Sequence, residues 1–462
     1  MIETISPSLT LVENSSPKLI SSETHQGNSV SPRSAITKMV VVALLLRILI
    51  ILCFHTYELQ TRVVTDQPSG THFAFGFETG SIAGSIARGE GFSSPFGVST
   101  GATAWIAPVY PLMCAAIFKV FGIYTTASAI VILSLNSIFA ALTCIPIYWI
   151  GKYVFNPRVA TLSGWMWAVC VFFMRWPTTW IWEVSLSALL LSTLILLTFS
   201  AMTQEGRIGS IKLGGVWGLA AITNPSLLGV LPFSLCWLAV QRHRASRNWF
   251  KPILLTVAVT FAITTPWLVR NWIVMGKPLF IRDNFGFEFY LGNYHGSNGL
   301  GFMGKHPTKN NNQLQLYSQL GELGYVKHFQ HEALNFVKHY PEEFSILTLK
   351  RIVSFWDGGE INYESYVYWR WKSWKMLVLA VPTAFGLLLA IGRNRNIRAG
   401  LLGLVVLLYP LPYYLAYPQE RYRHAVEPEM LIVSCFLACA LWDHISRGVT
   451  VNRLDESDQE FA

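Results

Sequence analysis

WIAPVYPLMCAAIFKVF, residues 105–121, is the stretch on which the topology turns. It is apolar enough to enter a bilayer, but Pro108 and Pro111 interrupt its start and Lys119 lies near its end. About ten other apolar stretches approach the length of a membrane span: 37–54, 125–150, 158–175, 181–202, 211–223, 226–241, 252–270, 374–392, 398–417 and 427–445. If residues 105–121 lie on the membrane surface, four internal basic clusters share one side with Arg447 and the tail residues Arg33 and Lys38. The clusters are Lys152 with Arg158, Arg207 with Lys212, the run Arg242 to Lys251, and Arg393 to Arg398. If the stretch crosses, those clusters fall outside. Basic residues collect on the cytoplasmic side of membrane proteins, so the surface placement is preferred and both termini are expected in the cytoplasm.

Composition supports a membrane setting. Hydrophobic residues make up 52% of the 462-residue chain and charged residues 13%, about half the usual charged share of soluble domains. So much apolar surface cannot be hidden from water behind so few charges. The reading excludes a cytosolic enzyme, a secreted disulfide scaffold and a disordered protein, and predicts an all-α polytopic protein with the bilayer as its main solvent; no nucleic-acid partner is expected. The seven cysteines fall in apolar stretches and show neither a disulfide framework nor zinc spacing. A divalent metal is compatible with the sequence, but nothing in it requires one.

Residues 1–36, rich in Ser, Thr, Pro and Asn, read as a disordered cytoplasmic tail, and 446–462 as a second tail. Between them lie a transmembrane module at 37–270, a large extracytoplasmic loop at 271–373 and the last spans at 374–445. The first loop, 55–124, interrupts the module on the outer side. Asn224-Pro225 separates two short apolar stretches, which form either a tight hairpin or one kinked helix. In the second loop, 322–339 and 342–355 read as helical patches of a small subdomain.

Chemistry-bearing residues collect at the outer face. Residues 75–88 read as a helix with one stripe of Phe75, Ile82 and Ile86 and another of Gly76, Gly80 and Gly84, a spacing that permits close packing. Glu78 lies off the glycine stripe. It is either a solvated surface acid or a general base held just outside the bilayer. Asp66, in the turn-like run Asp66-Gln67-Pro68-Ser69-Gly70, is the alternative acid. Glu183 lies near the outer end of a span, either as a structural ion pair with Arg175 or as part of a site. Arg47 lies deep in the first span without an evident acid. Arg270 ends a span on the outer side. Arg421, Arg423 and His424 crowd a short outer loop against the charge rule, which points to something anionic there: a lipid headgroup or the phosphate of a lipid substrate.

These pieces in this order resemble the membrane-embedded C superfamily of glycosyltransferases, and within it the protein O-mannosyltransferase and aminoarabinose transferase group, family 39. The resemblance covers about residues 40–445. It rests on Phe77-Glu78 through Gly91-Phe92, Ala107-Pro108-Val109-Tyr110-Pro111, the run from Gly218 to Pro225, Pro266-Trp267-Leu268-Val269-Arg270-Asn271 and the 421–428 turn. It implies a bacterial-type inner-membrane enzyme that moves a hexose or pentose from a polyprenyl-phosphate donor to a sugar, lipid or protein acceptor on the extracytoplasmic side, with inversion. The family's early acidic pair would fall at about Phe75-Gly76, and Glu78 is the acid nearest to it. The family's lysine before the prolines is replaced by Ile106-Ala107, so Arg421 and Arg423 are expected to hold the phosphate, with His424, Glu183 and Arg270 also contacting substrate. A polysaccharide polymerase or ligase shares the many spans and outer arginines but lacks an acid-bearing first loop. A secondary transporter would want paired broken helices at mid-membrane, and only Asn224-Pro225 offers one.

Single cysteines placed at Thr125 and Asn156 in a cysteine-free background test the topology. An impermeant thiol reagent applied to intact cells is expected to label Thr125→Cys and spare Asn156→Cys. Equal labelling, or labelling of Asn156→Cys alone, rejects the surface placement of 105–121.

Overall fold

The computed structural model describes residues 31–59, 74–301, 303–358 and 366–460. Their regular structure is helical, and one isolated bridge between Ser93 and Ala102 is the extent of β structure among them. Helix α1, Pro32–Cys53, starts with proline in its first turn and the Ser31 hydroxyl accepting from the Ser34 amide, both favoured at a helix start. In the first loop, α2 is Glu78–Arg88 and α3 is Val109–Phe121. Next, α4, Thr126–Leu142, and α5, Cys144–Val154, together form one apolar stretch of 29 residues. They part at Thr143 because Pro146 has no N–H and its ring crowds the carbonyl four residues back, on Leu142.

Then come α6, Pro157–Val169, the single turn α7, Arg175–Thr179, and α8, Val184–Thr203. Beyond these, α9 is Arg207–Thr223, α10 is Leu231–Arg244 and α11 is Phe250–Met275. The second loop carries α12, Phe285–Gly292, α13, Asn311–His339, and α14, Pro341–Asp357. The chain ends with α15, Tyr366–Leu387, α16, Ile397–Leu408, α17, Leu411–Leu415, α18, Glu420–Arg423, and α19, Glu427–Glu460.

Seven stretches are long and apolar enough to cross a bilayer, and they match seven of the expected spans. The other three expected spans are helices of 13, 17 and 14 residues, namely α6, α9 and α10. At about 1.5 Å per residue these are shorter than the roughly 30 Å hydrocarbon layer. The expected continuous span at 158–175 is broken at Cys170, whose backbone is extended. The Asn224-Pro225 break is a 3-10 turn between two separate helices: the Asn224 side chain accepts from the Ser226 amide, and Pro225 starts the turn.

Arg47 explains how the early end of α6 is tolerated. It is fully buried, and its guanidinium donates to the carbonyls of Trp167 at 3.0 Å and Ala168 at 3.2 Å. A helix leaves its last carbonyls without intrahelical donors, and in an apolar setting an outside donor must be found. Its partners are therefore carbonyls, and no acid is involved. Small residues bring α9 and α11 together: a Cβ on Gly214 would lie 2.5 Å from the Thr256 carbonyl oxygen, and one on Gly218 would lie 2.7 Å from Ile263 Cβ.

The first-loop glycines pack more locally than expected. A Cβ on Gly84 would meet the Tyr124 hydroxyl at 2.6 Å, and that hydroxyl donates to the Gly80 carbonyl at 2.9 Å. The stripe thus seats α2 against the turn between α3 and α4. The two large loops share one aromatic cluster, in which Phe96 and Trp105 pack with Phe287, Tyr317, Tyr325 and Phe329. Within it, buried Glu322 accepts from the Thr103 hydroxyl, from the Ala104 amide at 2.6 Å and from the Tyr317 hydroxyl at 2.8 Å. The patch expected at 322–339 is the second half of α13, which bends at Gly321 with φ +65°.

Glu322→Ala strips three donors of their acceptor, and each buried group left unpaired costs about 1–3 kcal/mol. A clear fall in thermal unfolding temperature is expected, with a smaller fall for Glu322→Gln, which keeps one acceptor oxygen. Equal melting of Glu322→Ala and wild type in detergent would show that this carboxylate does not join the loops.

Candidate functional site

Glu78 is placed by a sharp corner. Gly76 has φ +91°, and a Cβ there would lie 2.2 Å from the Ile181 carbonyl oxygen, so glycine is required. Phe77 also has positive φ, +56°, a conformation that costs a non-glycine residue of order 1–3 kcal/mol and that collects at functional sites. The corner makes Glu78 the first residue of α2, where the helix dipole favours a negative charge.

The Glu78 carboxylate faces a cavity of about 170 Å³. Five parts of the chain wall it: the start of α2, Trp105 and Ile106 before α3, the turn carrying Trp182 and Glu183, the second loop through Arg282, Glu288, His306 and Lys309, and the turn before α19 through Tyr417 and Arg421. Glu78 Oε1 is 3.2 Å from His306 Nε2. On the other side of the ring, Nδ1 accepts from the Thr308 amide at 3.3 Å and lies 2.8 Å from its hydroxyl. This network assigns the ring proton to Nε2, which donates to Glu78.

His306 is buried among the edges of Phe96, Trp105 and Phe287. Burial, with the nearby charges of Arg421 and Lys309, pushes its imidazole down to about 3, so it is neutral at ordinary pH. Burial raises the Glu78 carboxyl to about 7. Glu288 and Glu183 push in the same direction and Arg421 against it. Glu288 is itself fixed, accepting from the Tyr417 hydroxyl at 2.6 Å and from Asn284 at 3.0 Å.

Arg421 supplies the opposite charge. Its guanidinium sits 4.0 Å from the centre of the Trp182 ring and 5.1 Å from that of Tyr422. Trp182 in turn stacks on Trp180 at 4.7 Å and on Phe77 at 6.1 Å. Arg421 Nη2 donates over a long 3.4 Å to the Tyr422 hydroxyl, and the buried Arg421 Nε has no hydrogen-bond partner. The cation is held by rings, and donor capacity is left over beside the cavity.

The structure thus brings together Glu78, Glu183 and Arg421 of the residues expected from sequence, and separates the others from them. Arg423 donates to the carbonyls of Met376 at 3.0 Å and Trp356 at 3.2 Å and pairs with Glu427 at 3.4 Å. His424 is fully buried, 2.8 Å from Glu427 and stacked on Trp167. Residues two apart on a helix do not face the same way, so the single turn α18 cannot aim both arginines into one cavity. Arg270 donates to the carbonyls of Thr103 at 2.7 Å and Phe92 at 2.9 Å, clamping the end of α11 to the first loop. The partner expected for Glu183, Arg175, pairs instead with Glu420 at 3.2 Å. Asp66 lies outside the described residues.

His306, Glu288, Arg282, Lys309 and Tyr417 were not singled out as site residues from sequence. Arg282-Asp283-Asn284, a charged run just after a span, was the one available signal. Among the described residues, no group of three or more His, Cys, Asp or Glu is gathered in a way that could hold a metal ion.

No family model and no curated protein matches the chain. Among solved structures, the archaeal oligosaccharyltransferase AglB from Archaeoglobus fulgidus, in complex with an inhibitory peptide and a dolichol-phosphate, aligns with a TM-score of 0.52 at 13% identity, covering 90% of this chain and 52% of that one. Its apo form aligns at 0.51, again at 13% identity and over 90% and 52% of the two chains. ArnT from Cupriavidus metallidurans bound to undecaprenyl phosphate aligns at 0.37 with 15% identity, over 86% of this chain and 78% of that one. The chain spans about half the length of the AglB structures. The AglB likeness shows that the two chains share a fold.

The two arginines are expected to differ when truncated. Arg423→Ala removes a buried cation from beside Glu427, which keeps only His424, and the donor to the Trp356 carbonyl near the end of α14; breaking a buried charge pair costs about 3–5 kcal/mol. Arg421→Ala loses a cation–ring contact, about 0.5–2 kcal/mol. Thermal unfolding followed by tryptophan fluorescence should show a large shift for the first and a small one for the second. The reverse order would mean that Arg421 is the structural residue.

Proposed function

We propose that this chain transfers a sugar from a polyprenyl-phosphate donor to an acceptor at the outer face of the membrane, with inversion at the anomeric carbon. The observation that carries the reading is the pairing, across one small cavity, of a carboxylate raised to about 7 with an arginine held by aromatic rings. The AglB structure, which holds a dolichol-phosphate, supports it at the level of fold.

The acceptor's nucleophilic oxygen or nitrogen attacks the anomeric carbon from the face opposite the phosphate. The bond between that carbon and the phosphate oxygen breaks, and its electron pair stays on the phosphate. The proton lost by the acceptor passes to Glu78. A base works best when its pKa lies near the working pH, and a carboxyl near 7 takes that proton more readily than an ordinary carboxyl would. His306, neutral and donating through Nε2, orients Glu78 without supplying a charge that would lower its basicity. Arg421, with Arg282 and Lys309 on the same cavity wall, receives the charge that grows on the leaving phosphate. A phosphate is already a good leaving group, so no general acid is needed.

Glu183 and Glu288 make the cavity selective. An anionic donor entering unaligned meets three carboxylates, and only a pose that sets its phosphate beside Arg421 avoids them.

The test is transfer from a radiolabelled polyprenyl-phosphate sugar in reconstituted membranes. A general base contributes roughly 100- to 10,000-fold, so Glu78→Gln should lose that much turnover while donor binding persists. With wild type, the rate should rise with pH as Glu78 loses its proton through about 7 and then level off. A flat profile between pH 5 and 8, or near-full transfer by Glu78→Gln, removes Glu78 from the role of base and returns attention to Asp66.

A further inference from the structure

The second loop holds another cleft, of about 420 Å³, within the roughly 300–1,000 Å³ typical of small-ligand sites. Two pieces of chain contribute to both this cleft and the Glu78 cavity. On α12, Glu288 lines the cavity and Tyr290 the cleft; in the segment before α13, His306 lines the cavity and its neighbour Lys305 the cleft. We propose that this cleft binds a saccharide and that the acceptor of the transfer reaction is a sugar chain seated there, an assignment of acceptor that rests on the glycosyl-transfer reading above.

The chemistry of the lining selects the ligand class. Its floor and rim are aromatic: Tyr290 and Tyr294 pack at 5.4 Å, and Tyr340, 47% exposed, stacks on His295 at 5.1 Å. Between the rings stand hydrogen-bonding groups: Asn335, His339 and Glu332. Its cation is already committed. Lys305 Nζ donates to the Tyr290 hydroxyl at 2.9 Å and lies 3.7 Å from the centre of the Tyr294 ring. A phosphate site would present open arginines, and a protein interface would bury an apolar centre. Rings alternating with short polar groups suit a sugar, whose C–H face packs on an aromatic ring while its hydroxyls reach the flanking amide, imidazole and carboxylate. Tyr340 and His295, exposed at the rim, fit a ligand that is itself half polar.

The experiment is saturation-transfer NMR on the full chain in nanodiscs, with chitotetraose, cellotetraose, mannotetraose and isomaltotetraose as probes. Transfer to the ring protons of at least one tetrasaccharide is expected with wild type. It should be lost in Tyr340→Ala and in Asn335→Ala, two exposed positions whose truncation leaves the core intact, and kept in Glu78→Gln. Absence of transfer from wild type to all four probes, or undiminished transfer in both cleft variants, overturns the proposal. If a saccharide binds the cleft in this way while wild type moves no sugar from a polyprenyl-phosphate donor, the transfer reading fails and saccharide binding stands, with the bound sugar no longer an acceptor.

Discussion

Glu78 is kept largely out of water without an ion-pair partner among the arginines and lysines, and the surrounding structure follows from that constraint. A buried carboxylate ordinarily either pairs with a cation, which lowers its basicity, or takes up a proton. Here the strained corner at Gly76 and Phe77 presents the group, a neutral histidine orients it, and Arg421 lies in the same cavity without forming a salt bridge to it. Each feature depends on the others. If Arg421 moved from the Trp182 ring onto Glu78, the raised pKa would be lost, so the ladder Phe77–Trp182–Trp180 fixes the electrostatics of the site as well as its shape.

The use of arginine elsewhere in the chain makes Arg421 stand apart. Arg47 donates to the final carbonyls of α6. Arg242 does the same near the end of α8, to Ala201 and Gln204, and Arg351 reaches the carbonyls of Gly292 and Ala416. Arg423 and Arg270 join turns and helix ends in the same manner. Apart from the Arg423 bond to Met376, which lies within α15, these contacts fall where a helix or turn leaves acceptors that neither water nor a neighbouring helix can satisfy. These arginines answer a structural need. The neighbours of Arg421 are rings and a tyrosine hydroxyl, which satisfy a charge but leave its hydrogen-bonding edges underused.

This distinction governs what could be read from sequence. The charge rule marks Arg421, Arg423 and His424 as anomalous on an outer loop, and it is blind to which way each side chain points. One turn of helix sends Arg421 to the cavity and Arg423 to the backbone of α14 and α15. The long apolar helices were legible because length and hydropathy are local properties. The shorter α6 was read as a continuous span because its break at Cys170 is stabilised by Arg47, 123 residues earlier in the chain. Glu78 was noticeable in the sequence because an acid on a helix flanked by small residues is unusual at a membrane surface. His306 was not: its role depends on the packing of Phe96 and Trp105 from one loop against Phe287 from the other, and no spacing in the sequence encodes that meeting.

That packing also explains why two loops far apart in sequence act as one site. Glu322 binds the backbone and hydroxyl of Thr103-Ala104, and the Asp283 amide returns a bond to the Ala104 carbonyl at 2.9 Å. The first loop contributes the carboxylate, and the second contributes its orienting histidine and most of the cavity's other charges. Neither loop could enclose Glu78 alone, since α2 presents its first residue at a corner open toward the second loop. Burial of Glu78, and with it the raised carboxyl, therefore exists only in the docked arrangement. A loosened joint at Glu322 would admit water and return Glu78 toward an ordinary carboxylate while leaving every cavity side chain unchanged.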